Sequence, residues 1–90
     1  MKGEGQRVAV SLGRPQGRLL LVDDDANDRE GLKDLLAGSP WDVLEASSGR
    51  EALAILDRQP VNLVLLDAAL EGTDCAELLG AVRRRIPGLP

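Results

Sequence analysis

Three aspartates are the residues of this 90-residue sequence whose type and placement could do chemistry. Asp23 and Asp24 directly follow the apolar run Leu19-Leu20-Leu21-Val22, and Asp67 follows Val61-Asn62-Leu63-Val64-Leu65-Leu66 in the same way. Carboxylates crowded together repel one another, and relief comes from protonation or from a cation. Without a lysine nearby in sequence, the simplest relief is a hard divalent ion such as Mg2+. That ion accepts a few oxygen ligands and keeps waters that phosphate oxygens can replace. An aspartate beside it can act as a nucleophile toward phosphorus and form an acyl phosphate. A lone aspartate after a strand is more often a turn former or helix cap. Two apolar runs ending in aspartate, one of them in Asp23-Asp24-Asp25, favour a site.

Composition removes several other chemistries. The chain has no histidine and one cysteine, so it can build neither a structural zinc site nor a Ser-His-Asp or Cys-His catalytic set. Cys75 alone cannot form an internal disulfide, which favours a reducing compartment and a cytoplasmic location. No apolar run approaches the roughly 20 residues of a membrane helix, and no signal-peptide stretch opens the sequence. Lys2, Arg7 and Arg14 against Glu4 give residues 1–17 a charge of +2, so residues 18–90 carry −6. So acidic a body, with Trp41 as its one aromatic residue, argues against a nucleic-acid partner.

The elements that must position the aspartates follow from the pattern. Leu19–Val22 is continuously apolar, as in a strand buried on both faces of a parallel sheet. Asn27-x-x-Glu30 resembles a capping box, with Leu32, Leu35 and Leu36 at helical spacing behind it and Gly38-Ser39-Pro40 as the stop. Asp42–Ala46 is a weaker strand. Ser48-x-x-Glu51 begins a second helix through Ala52, Leu53 and Leu56, which Gln59-Pro60 ends. Val61–Leu66 is a second strong strand. The loop Ala68–Thr73 leads to a third helix through Leu78, Leu79, Val82 and Ile86, ended by Pro87-Gly88-Leu89-Pro90. Strand and helix thus alternate three times, which predicts βαβ units and a parallel sheet. The parallel between LLLVD and LVLLD, each leading to a leucine-bearing helix, is a weak internal repeat. It places Asp23, Asp24 and Asp67 together at the carboxyl ends of the strands, where open α/β sheets bind ligands. Residues 1–17 read as a flexible tail in which only Val8–Val10 has strand character. Gly3-x-Gly5 lacks the third glycine of a dinucleotide fingerprint.

Residues 18–90 resemble the receiver domain of bacterial two-component response regulators. The stretches LLLVDDDANDREGL, EASSGREALAIL, VNLVLLDAALEGTDCAELL and RRIPGLP carry the resemblance in matching order and spacing. It implies a flavodoxin-like doubly wound α/β fold. It also implies that Asp67 is the phosphoacceptor and that Asp23 and Asp24 hold Mg2+ with Asp67 and the backbone carbonyl of Ala69. The phosphoryl donor would be a histidine kinase or a histidine phosphotransfer protein, so the chain is expected to be a signalling module and not an enzyme.

The sequence departs from the family in three places. Leu70-Glu71 stands where Met-Pro is frequent, and Cys75 where a glycine is usual. A receiver has five strands in the order 2-1-3-4-5, and this sequence supplies three βα units, so strands 4 and 5 and helices 4 and 5 are lacking. The switch hydroxyl and phosphate-binding lysine that end those strands are lacking with them. Thr73 lies in the loop after Asp67, Lys2 in the tail and Lys33 on the first helix. The expected consequences are an open apolar edge on the strand Val61–Leu66 that invites self-association, exposed leucines on the first helix and impaired phosphorylation.

Two other functions compete. One is a non-phosphorylated, protein-binding pseudo-receiver. The other is a haloacid-dehalogenase-like phosphohydrolase, whose first motif Asp23-x-Asp25 fits but whose following Gly-Thr is absent. Asp25 and Asp28 otherwise read as helix-start residues, Cys75 as small filler, Trp41 as a cap on the core, and Arg83-Arg84-Arg85 as complements to a helix C-terminal dipole.

Overall fold

The computed structural model describes residues 7–11, 17–70, 72 and 74–85. In chain order its elements are β1 (Arg7–Ser11), β2 (Gly17–Val22), α1 (Ala26–Leu36), β3 (Trp41–Ala46), α2 (Gly49–Arg58), β4 (Leu63–Asp67) and α3 (Cys75–Arg84). The strands form one sheet in the order β1-β4-β2-β3. The βα units expected from the sequence are therefore present, with one strand added in front of them. This mixed α/β arrangement is consistent with part of a flavodoxin-like receiver fold.

β2 is the central strand, which explains its sequence. It pairs in parallel with β3 from Gly17↔Trp41 to Val22↔Ala46 and in parallel with β4 from Leu19↔Leu63 to Val22↔Leu66. Where a strand is paired on both edges and covered on both faces it keeps no solvated position, and Leu19 to Val22 are each no more than 2% exposed. At the start of β2, Arg18 and Asn62 lock the β2–β4 register. The Asn62 N–H donates to the Arg18 carbonyl at 2.8 Å, and its Oδ1 accepts from the Arg18 N–H at 2.9 Å. Gly17, at φ +132, stands against the Asn62 side chain where a Cβ would collide.

The chain passes from β2 outward to β3, then back past β2 to β4. Right-handed crossovers in opposite directions put α1 and α2 on opposite faces of the sheet. One face carries the main cluster, in which Leu20, Val22, Val64 and Leu66 of the strands pack with Ala52 of α2 and with Leu78 and Val82 of α3. Leu19 and Leu21 alternate onto the α1 face.

Sequence and structure disagree most at the N-terminus. Arg7–Ser11 is not part of a free tail: β1 pairs antiparallel with β4, from Arg7↔Asp67 to Ser11↔Leu63. The edge of β4 expected to lie open is therefore filled from within the chain, and its backbone groups are taken up by β1 rather than offered to a second molecule. Smaller differences concern boundaries. α1 is capped by Asp25 instead of starting from an Asn27–Glu30 box, because the Asp25 carboxylate accepts from the N–H groups of Asn27 and Asp28. Ser48 caps α2 as expected, but the Glu51 side chain reaches the Ser47 N–H. Trp41 begins β3 instead of lying in the preceding loop, and β4 begins at Leu63 instead of Val61. Glu71, Thr73, Ile86 and Pro87–Pro90 lie outside the described residues.

Candidate functional site

The β2–β4 register brings the aspartates together. Val22 is level with Leu66 in the parallel pair, so the next residues, Asp23 and Asp67, leave the sheet at the same height and the same end. Asp24 follows by one residue. One carboxylate oxygen from each of Asp23, Asp24 and Asp67 lies within 4.8 Å of the others. Asp23 is fully buried, Asp67 is 2% exposed and Asp24 is half-buried. The three candidates singled out in the sequence thus converge.

Several parts of the chain fix Asp23. Its N–H donates to the carbonyl of Ala46 at the end of β3, 3.0 Å away. Its own carbonyl accepts from Nη1 of Arg29 on α1 at 2.6 Å. Its Oδ1 accepts from the Asp25 N–H at 2.9 Å, in an Asx turn that starts the approach to α1. Its Oδ2 accepts from Nη2 of Arg7 on β1 at 3.0 Å. Asp67 is fixed by its own turn: Oδ1 accepts from the Ala69 N–H at 2.9 Å, and its carbonyl accepts from the Leu70 N–H at 3.2 Å. Ala69 therefore adjoins the cluster, tied to it through its N–H.

A second charged group steadies the same end. Arg29 Nε donates to Glu45 Oε1 at 3.1 Å, and Lys33 Nζ lies 3.0 Å from Glu45 Oε2. The Lys33 ammonium, followed by the Arg29 guanidinium, holds the Glu45 carboxyl below its ordinary value, although partial burial works the other way. Glu45 and then Glu30 hold the Lys33 ammonium above its ordinary value.

The donor set is all oxygen and all carboxylate, which suits a hard dication such as Mg2+ better than a soft metal. Among the described residues, Asp23, Asp24 and Asp67 form the group able to hold it. The arrangement also leaves an aspartate at a strand end, beside that charge, as a candidate nucleophile. Asp25 caps α1, the helix-start role that its position suggested. Cys75 is half-buried at the start of α3, and Arg83 and Arg84 lie in the last turn of that helix.

Sequence reasoning missed Arg7. It is directly opposite Asp67 in the β1–β4 register, its guanidinium bonds Asp23, and it lies 3.9 Å from Asp28. The available signals were the basic charge of the first 17 residues and the alternation of Arg7, Ala9 and Ser11 with Val8 and Val10. Arg29 was missed as well. Its place one turn into a helix that begins just after the aspartates is the only sequence signal for it.

Comparison with known proteins agrees with this geometry. The response regulator receiver domain family matches residues 19–90. The chain is 38% identical over 73 residues to the response regulator protein FleR of Pseudomonas aeruginosa, covering 81% of this chain and 15% of that protein. It is 36% identical over 72 residues to the transcriptional regulatory protein GlrR of Escherichia coli, covering 80% of this chain and 16% of that protein. The hydrogenase transcriptional regulatory protein HoxA of Cupriavidus necator is 39% identical over 72 residues, covering 80% of this chain and 15% of that protein. The chain thus spans about one-sixth of the length of these curated relatives, and no solved structure matches it. With matching stretches that run through both aspartate-bearing strand ends, the chain belongs to the response regulator receiver domain family.

Proposed function

We propose that this chain accepts a phosphoryl group on Asp67 from a histidine kinase or a histidine phosphotransfer protein, in a Mg2+-dependent step of two-component signalling. The observation that carries the reading is the convergence of Asp23, Asp24 and Asp67 within 4.8 Å at the carboxyl edge of the sheet. A carboxylate oxygen of Asp67 attacks the phosphorus of a phosphoimidazole, the P–N bond breaks, and the imidazole nitrogen leaves with its electron pair and is protonated from solvent. Asp23 and Asp24 would hold the cation together with Asp67, and the family resemblance adds the Ala69 carbonyl as a further ligand. Mg2+, when bound, supplies the positive charge that neutralises the phosphoryl oxygens. The Asp67–Ala69 turn holds the acceptor oxygens in place. Among the described residues no helix is long and apolar enough to cross a membrane. The relative GlrR is named a transcriptional regulatory protein, which suggests transcription as the output of the signalling.

Incubation with acetyl phosphate and Mg2+, followed by intact mass measurement, tests the reading. The expected result is one added phosphoryl group on part of the protein, absent in Asp67→Asn and absent when the cation is chelated. No addition, or an addition that survives Asp67→Asn, overturns it.

A second reading, a protein-binding pseudo-receiver that is not phosphorylated, has one specific observation in its favour: the Arg7 guanidinium already takes up Asp23. The same experiment separates the two.

A further inference from the structure

Arg7 is a cation that, among the described residues, the structure itself brings to the acidic cluster. Directly opposed residues of an antiparallel pair project to the same face of the sheet with their Cβ atoms about 5 Å apart. The Arg7↔Asp67 pairing thus delivers a guanidinium to the carboxyl edge where the three aspartates meet. Nη2 then bonds the buried Oδ2 of Asp23 at 3.0 Å. With Oδ1 of Asp23 accepting from the Asp25 N–H, both oxygens of this carboxylate are engaged. A dication drawn to Asp23, Asp24 and Asp67 meets a positive charge on one of its ligands.

The guanidinium also has somewhere else to go. Asp28, in the first turn of α1, lies 3.9 Å from the same Nη2 and is outside the three-aspartate cluster. Its carboxylate is one-quarter exposed, whereas that of Asp23 is fully buried. A rotation of the Arg7 side chain toward Asp28 keeps an ion pair and releases Asp23 without undocking β1.

We propose that Arg7 is a built-in competitor for the divalent cation: guanidinium and cation take Asp23 in alternation, with Asp28 receiving the guanidinium when the cation is bound. This rests on the reading that Asp23, Asp24 and Asp67 hold Mg2+. β1 thereby sets the cation affinity of the site, and by linkage the cation weakens the Arg7–Asp23 pair by the same factor.

Calorimetric titration of the chain with MgCl2 at low ionic strength tests the proposal, with far-UV circular dichroism to confirm that each variant is folded. Arg7→Gln removes the charge and is expected to tighten Mg2+ binding about tenfold, the scale of one unit charge a few ångströms from the ion. Arg7→Lys keeps the charge and stays near the original affinity. Asp28→Asn removes the alternative partner and weakens Mg2+ binding when Arg7 is present, but not in the Arg7→Gln background. Equal affinities for the original chain and Arg7→Gln, both lost in Asp67→Asn, overturn the competition and leave the Mg2+ site standing. Equal tightening by Arg7→Gln and Arg7→Lys also overturns it, because charge is then not the cause. Absence of Mg2+ binding in every variant, Arg7→Gln included, overturns the acidic-site reading and the competition together.

Discussion

The two faces of the sheet hold their helices by different means. On one, α2 and α3 bury Ala52, Leu78, Ala81 and Val82, and of these Ala52, Leu78 and Val82 pack with strand residues in the main cluster. On the other, α1 has no buried residue, and Leu35 is 80% exposed. α1 covers Leu19 and Leu21 of β2, and what ties it down at the site is polar. Asp25 caps it, Arg29 bonds the Asp23 carbonyl and Glu45, and Lys33 pairs with Glu45. The cluster face supplies stability in the ordinary way, by removing apolar surface from water. The α1 face is coupled to the loop that carries Asp23 and Asp24, so disturbance of the acidic cluster is transmitted to α1 before it reaches the other two helices.

Substitutions on each side can break or sharpen this contrast. The largest effect is expected on the cluster face, where Leu66 is 1% exposed. Leu66→Ala should cost about 2–5 kcal/mol, enough to unfold a large fraction of so small a domain, as read by urea denaturation. Arg29→Ala comes next. It removes a hydrogen bond to a backbone carbonyl and one to a carboxylate, for about 1–3 kcal/mol in all. Its signature is selective: hydrogen exchange should quicken in α1 while α2 and α3 keep their protection. Equal loosening of all three helices would dissolve the distinction between the faces.

A smaller effect follows from Glu45. Its folded carboxyl value lies below the ordinary 4.5, so the stability it confers is present above that value and declines as pH falls through the lowered one. Lys33 works at the other end: its contribution is complete below 10.5 and declines as pH rises through its raised value. Glu45→Gln should flatten the acid limb of a stability–pH profile slightly. It should do so less than Arg29→Ala lowers stability at neutral pH. The smallest effect is Leu35→Lys, expected within about 0.5 kcal/mol of no change, against the loss from Leu66→Ala. A large loss at Leu35 would mean that α1 buries more than its exposure indicates.

Much of the fold was legible because the deciding signals are local. The run Leu19–Val22 had to be a doubly covered strand, and the level endings of two such strands bring Asp23 and Asp67 together. Ser48 and Glu51 marked a helix start through a hydrogen bond that spans only three residues. At α1, local signals competed. Asn27 and Asp25 are both good capping residues, and Asp25 wins because the Asp23 carboxylate already holds its N–H and turns the chain there. β1 was illegible for a different reason. Val8-Ala9-Val10 is too short an alternation to announce a strand, and its stability depends on a partner far along the chain. The same holds for Arg7: nothing next to it in sequence says that it will meet Asp23.

The reversed direction of β1 also has a consequence in time. Arg7 leaves the ribosome before its pairing partner Asp67, which is about 60 residues later, a separation typical of slow, non-local contacts. The βα units can begin to form as they emerge, whereas β1 must wait for β4 to be complete. β2, β3 and β4 can thus pair before β1 joins them, and the guanidinium of Arg7 is expected to reach Asp23 only when β1 docks, although β1 is made before them.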